Sequence, residues 1–141
     1  MERKLAVILA ADVAGYSRLV ATDEEGTLAT LGTYCATIGD LVAEHGGRIF
    51  STAGDSVVAE FHSAVQGVRA AVAIQRALQR RNADLAPEKR MEFRIGINLG
   101  DVVVEGTNLL GDGVNVAARL QQVARPAGVC ISGTLHDQIE G

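Results

Sequence analysis

Arg48-Ile49-Phe50-Ser51-Thr52-Ala53-Gly54-Asp55-Ser56-Val57-Val58-Ala59-Glu60-Phe61 is the stretch that decides the fold. Two short runs of strand-forming residues flank Ala53-Gly54-Asp55-Ser56, which has the composition of a turn, so the stretch reads as a β-hairpin. A turn this tight makes its two strands antiparallel. Upstream, Thr22-Asp23-Glu24-Glu25 is a capping-box pattern with Thr22 as the cap. Beyond it Leu28, Leu31, Cys35, Ile38 and Val42 recur every three or four residues, which predicts an amphipathic helix closed by Gly46-Gly47. Further upstream, Leu5-Ala6-Val7-Ile8-Leu9-Ala10-Ala11 is continuously apolar and predicts a strand buried on both faces, ending at Asp12. Val13 to Ser17 is expected to turn into a short helix.

Downstream of the hairpin, Ser63 caps a helix carrying Val65, Val68, Ala71, Val72 and Leu78, expected to fray near Arg80-Arg81-Asn82. Phe93, Ile95, Ile97 and Leu99 alternate with Arg94, Gly96 and Asn98, the period of a half-buried strand. Gly100-Asp101 is expected to turn this strand into Val102-Val103-Val104. A Gly-rich loop from Gly106 to Gly113 leads into a helix with Val114, Ala117, Ala118 and Val123, and Val129-Cys130-Ile131 is one more strand. The order βαββαβ, with a further hairpin, helix and strand, predicts an α+β, ferredoxin-like sandwich with helices on a mostly antiparallel sheet. The 141 residues fit one domain.

Composition narrows the function. The net charge is −4, and basic residues are scattered apart from Arg76, Arg80 and Arg81, so the basic face of a nucleic-acid binder is missing. Aromatics at 4 % leave little to stack on bases, which argues against an RNA- or DNA-binding ferredoxin-like domain. No apolar run approaches the roughly 18 residues that span a bilayer. The start, Met1-Glu2-Arg3-Lys4-Leu5, is too polar for a signal peptide, and Arg3 and Lys4 are expected to be solvated. Cys35 and Cys130 have neither C-x-x-C nor zinc spacing and read as buried reduced thiols. A cytoplasmic location follows from these features. His45, His62 and His136 lack ligand spacing and read as surface residues, and Asp101 and Asp112 as turn residues.

Two pairs of residues can carry chemistry. Asp12 ends the first strand and Asp55 sits in the hairpin turn. In a ferredoxin-like sheet the two carboxylates converge on one edge, where paired hard oxygen ligands suit Mg²⁺ or Mn²⁺. The backbone of Ala14, Gly15, Tyr16 and Ser17, opening a helix, could cradle a triphosphate. Asp is also common at strand ends and in turns, so spacing alone leaves a purely structural reading open. Asn115 and Arg119 lie four apart on a helix and point the same way, where an amide and a guanidinium can hold a sugar and a phosphate together. A solvated polar face is the alternative there.

Read together, these segments resemble the class III adenylate/guanylate cyclase catalytic domain, in the short bacterial type. The matching stretches are Ile8 to Ser17, Gly46 to Phe61, Arg94-Ile95-Gly96-Ile97-Asn98-Leu99-Gly100-Asp101-Val102, and Leu110-Gly111-Asp112-Gly113-Val114-Asn115-Val116-Ala117-Ala118-Arg119-Leu120. They lie in family order and cover nearly the whole chain. The resemblance implies an enzyme that converts ATP to cyclic AMP and pyrophosphate in intracellular signalling. It implies two divalent cations, Mg or Mn, held by Asp12, Asp55 and the carbonyl of Val13. It also implies a ribose 3′-hydroxyl oriented by Asn115 to attack the α-phosphate, and Arg119 stabilising the charge that grows there. It implies finally that metal residues and the Asn/Arg pair come from opposite subunits of a head-to-tail homodimer.

The chain departs from the family pattern in three places. Adenylate cyclases of the family place a Lys where this chain has Ser51 and an Asp where it has Asn108; guanylate cyclases often place Glu and Cys there. Ser51 and Asn108 can still hydrogen-bond a purine edge, without charge assistance, which predicts relaxed choice between ATP and GTP. The family domain also continues past the strand at Val129 into a hairpin bearing a phosphate-contacting Lys, so the chain is expected to be C-terminally short. These departures motivate an alternative: a catalytically weak or inactive cyclase-homology domain that binds nucleotide or dimerises as a regulatory module.

Overall fold

The computed structural model describes residues 2–140. The elements run β1 (Glu2–Val13), α1 (Tyr16–Thr22), α2 (Glu24–Glu44), β2 (Arg48–Ala53), β3 (Ser56–Phe61), α3 (Ala64–Ala83), a 3₁₀ turn (Pro87–Lys89), β4 (Phe93–Glu105), β5 (Asn108–Leu110), α4 (Asp112–Val123), β6 (Val129–Ile131) and α5 (Gly133–Glu140). The sheet order is β2-β3-β1-β4-β5, with β6 beside β4. β6 pairs parallel with β4, and the other pairings are antiparallel. The ferredoxin-like α+β expectation is met.

β1 is apolar throughout its centre because both its faces are covered. Val7, Leu9, Ala11 and Val13 join Ala59, Phe61, Ile95 and Ile97 in the main core, under Ile38 and Val42 of α2 and Ala70, Ile74 and Leu78 of α3. Ala6, Ile8 and Ala10 face the other way, into a smaller core with Val102, Leu109 and Ala117 of α4. Side chains alternate along a strand, so Asp12, two residues beyond Ala10, falls on the α4 side. Helix α4 lies close because Gly96 has no side chain; a Cβ there would run into the backbone of Ala117 and Gln121.

Several local expectations change. Asp23, not Thr22, caps α2, accepting the Gly26 amide at 3.1 Å, while Thr22 closes α1. Helix α3 does end beside Arg80-Arg81-Asn82, at Ala83, but its last turn is tied down because Asn82 is buried: it accepts the Tyr34 hydroxyl at 2.6 Å and the Met91 amide at 3.1 Å, and donates to the Met91 carbonyl at 2.9 Å. Gly100-Asp101 is not a turn. β4 runs through it, paired with β1 from Val13↔Phe93 to Glu2↔Val104. The Gly-rich loop contains β5, and α5 follows β6. Cys35 and Cys130 are free and half-buried. Among the described residues, no helix is long and apolar enough to cross a membrane.

Candidate active site

Register brings the first carboxylate pair together. β3 runs antiparallel to β1 with Ala11 opposite Val57, so the residue two before Val57 arrives beside the residue two after Ala11. Those residues are Asp55 and Val13, and Asp55 Oδ2 accepts the Val13 amide at 3.0 Å. Gly54 makes the turn possible, since its φ of +58° lies where side chains are disfavoured. Asp12 and Asp55 thus meet at one end of the sheet, as the sequence predicts.

Asp12 is half-buried and held from two sides. Arg94, its cross-strand partner on β4, places Nη2 3.2 Å from both carboxylate oxygens and Nε 3.2 Å from Oδ1. Gln121 of α4 donates Nε2 to the same Oδ1. Burial pushes the Asp12 carboxyl above its ordinary 3.8; the Arg94 charge and hydrogen bonds pull it back in part, and the Asp55 charge pushes it further up. The two carboxylates therefore feel one another, the arrangement a divalent cation relieves. Among the described residues no group of three or more His, Cys, Asp and Glu gathers around a metal position. Two carboxylates are hard oxygen donors of the kind Mg²⁺ or Mn²⁺ takes alongside backbone carbonyl, water and phosphate oxygens, so the donor set fits such an ion.

The turn from Ala14 to Ser17 leads from β1 into α1. Gly15 has φ +66° and precedes the helix, with no side chain capping it. The Ala14 amide is already committed, donating to the Glu92 carbonyl at 2.8 Å. That removes one amide from the set expected to face a phosphate; Gly15, Tyr16 and Ser17 keep that expectation.

Asn115 and Arg119 are exposed on α4. Gly113, Ala117 and Gln121 are the buried residues of this helix. At 3.6 residues per turn, Arg119 points about 200° away from Gln121, which reaches Asp12. One chain therefore does not bring Asn115 and Arg119 to its own carboxylate pair. Ser51, exposed on β2, pairs with Val58. Asn108 opens β5 at the opposite edge of the sheet, where its Oδ1 accepts the Leu109 amide at 2.9 Å.

Arg94 and Gln121 carry no role in the sequence reading. The alternation of Arg94 with Phe93 and Ile95 marks it as facing away from the main core, and that was the available signal. Lys4, expected to be solvated, instead sits 3.1 Å from the buried Glu60 carboxylate. A concavity of about 920 Å³ is lined by Ala14, Gly15, Arg18 and Glu92, beside the turn that follows β1, and another of about 590 Å³ by Gln75, Asn82, Met91 and Phe93; neither is lined by Asp12 or Asp55.

The family described as "Adenylate and Guanylate cyclase catalytic domain" matches residues 2–140, and the chain belongs to that family. "Putative adenylate cyclase 3" of Rhizobium meliloti (strain 1021) is 46 % identical over 142 residues, covering 100 % of this chain and 24 % of the relative. "Adenylate cyclase" of Streptomyces coelicolor is 31 % identical, over 99 % of this chain and 35 % of the relative. The chain thus spans about a quarter to a third of the length of these relatives. The crystal structure of an adenylate/guanylate cyclase/hydrolase from Silicibacter pomeroyi superposes with a TM-score of 0.88 at 43 % identity, over 97 % of this chain and 80 % of that one. The guanylyl cyclase Cya2, at 24 % identity and a TM-score of 0.85 over 97 % of this chain and 79 % of that one, shares the fold.

Proposed function

We propose that this domain cyclises ATP to cyclic AMP and pyrophosphate, with two copies of the chain in a head-to-tail dimer building each site between them. The observation that carries this reading is the split geometry. Asp12 and Asp55 stand together at one end of the sheet, anchored by the bond from the Val13 amide, while Asn115 and Arg119 project from the far face of α4. A second copy could bring its Asn115 and Arg119 to the first copy's carboxylates.

Asp12, Asp55 and the Val13 carbonyl would hold two divalent cations, which when bound lower the pKa of the ribose 3′-hydroxyl and neutralise phosphate charge. Asp55 is fixed for this by its own bond to the strand end. Arg94 and Gln121 hold the Asp12 carboxylate in place. Asn115 of the other copy would orient the ribose. The 3′-hydroxyl would give up its proton to solvent, its oxygen would bond to the α-phosphorus as the bridge to the β-phosphate breaks, and pyrophosphate would leave. Arg119, whose fork matches phosphate oxygens and keeps its charge, would stabilise the α-phosphate as charge grows. The amides of Gly15, Tyr16 and Ser17 would meet the triphosphate tail.

Ser51 and Asn108 support relaxed base choice, so GTP is a second substrate to test. They also motivate the second reading, a nucleotide-binding module with little turnover. Incubation of the chain with Mn²⁺ and ATP or GTP, with cyclic nucleotide and pyrophosphate measured by mass, separates these. Product that disappears in Asp55→Asn supports the enzyme; product that persists in Asp55→Asn removes the metal assignment; bound nucleotide without product supports the module.

A further inference from the structure

Glu60 is a carboxylate buried in the sheet, 5 % exposed. It stands on β3 opposite Ile8 of β1 and Arg48 of β2, and so faces the α4 side. A buried carboxylate is costly unless cations compensate it, and here two do. Arg48 donates Nε and Nη2 to Glu60 Oε1 at 2.9 and 2.6 Å. Lys4 Nζ lies 3.1 Å from Oε2, close enough for ion pairing though not aligned as a hydrogen bond. Burial alone would push the Glu60 carboxyl up; Arg48 and Lys4 outweigh it and hold it below its ordinary 4.5.

Arg48 does more than neutralise Glu60. Its Nη1 donates to the Thr107 carbonyl at 2.7 Å. Thr107 belongs to the turn between β4 and β5, on the opposite edge of the sheet from β2. One guanidinium therefore ties the two edges together, using the planar fork of donors that Lys lacks. Its two anchor points flank the positions expected to read the purine. Arg48 precedes Ser51 by three residues on β2, and Thr107 adjoins Asn108.

We propose that Arg48, fixed by Glu60 and Lys4, is a positioning residue that sets the span between Ser51 and Asn108 and so governs purine recognition. The inference rests on reading Ser51 and Asn108 as base contacts. Arg48 need not touch the nucleotide; it acts by holding the strand end and the turn at a fixed separation. A clasp that only stabilised the sheet would change affinity for every ligand of the site alike.

The test compares ligands with and without a base. Calorimetry on the full chain, with Mn²⁺, measures affinity for 3′-deoxyATP and 3′-deoxyGTP, which cannot cyclise, and for inorganic triphosphate. The variants are Ser51→Ala, Asn108→Ala, Arg48→Lys, and Arg48→Met combined with Glu60→Gln, which leaves no uncompensated buried charge. Arg48→Lys keeps a cation beside Glu60 but cannot also span to Thr107, so it provides a folded variant if the double change melts the sheet. The proposal predicts that both Arg48 variants weaken the preferred deoxynucleotide by about fivefold or more, the scale of one misplaced hydrogen bond, while inorganic triphosphate changes by less than about twofold. It is overturned if Ser51→Ala and Asn108→Ala act selectively on nucleotides but the Arg48 variants weaken both ligand types equally, or neither. If Ser51→Ala and Asn108→Ala show no selectivity, the base-contact reading fails and takes the proposal with it.

Discussion

At the scale of single residues, the site is a set of charges whose neighbours decide their behaviour. Asp12 is half-buried and depends on Arg94 and Gln121. Arg94→Met leaves its carboxylate without a counter-ion. The expected loss is about 1–2 kcal/mol of stability, at the low end for a charge pair because the site remains partly solvated, read from urea unfolding at neutral pH. Glu60 makes the opposite kind of prediction. Its carboxyl is held below 4.5 in the folded chain, so it binds protons more weakly folded than unfolded. The stability it contributes is fully present above about pH 4.5 and is lost as pH falls through the lower folded value. Glu60→Gln should therefore flatten the acid limb of a stability-against-pH curve; an unchanged acid limb would contradict the pairing with Arg48 and Lys4. The positions of Asp12 and Asp55 were legible in the sequence because a strand end and a hairpin turn are local features, while their metal-binding role was implied only by the family resemblance. Arg94, Gln121 and Glu60 were not, because their roles depend on partners that cross-strand register and helix packing bring from 82, 109 and 12 residues away.

At the scale of elements, local patterns gave the hairpin, the alternating strand and the Ser63 cap of α3, missed the Asp23 cap of α2, and left to long-range pairing where β4 ends. Gly100-Asp101 has turn composition, yet β4 continues because β1 pairs with it along its length. Asn82 does lie at the end of α3, which closes at Ala83, and its buried bonds to Tyr34 and Met91 fix that end in place of the expected fraying. Helix α4 matters most, since its inner face holds Asp12 through Gln121 and its outer face presents Asn115 and Arg119. Its position depends on Gly96, so Gly96→Val should force the helix off the sheet. The expected cost is about 1–3 kcal/mol or more, from overpacking against backbone, measured by chemical denaturation. The variant should also lose nucleotide turnover by a larger factor than its loss of fold explains, because both faces of α4 move. Turnover that falls only in step with the folded fraction would contradict a positional role for this helix.

At the scale of the whole molecule, the fold places the Asp12 carboxylate and the Asn115 and Arg119 side chains on opposite faces of α4. No within-chain motion of side chains alone reconciles them, since Gln121 binds Asp12 from the face that Arg119 turns away from. The motif similarity implied both the residues and their division between two copies; the seating of α4 on the sheet adds the geometry that keeps the pairs apart within one chain. The most direct test mixes two variants, Asp12→Asn and Arg119→Ala, each first shown to be folded and inactive alone. Random reassociation gives heterodimers that hold one intact site each, so activity should return to about a quarter of the wild-type level. Mixed chains that associate but stay as inactive as the separate variants would contradict a site built across two copies.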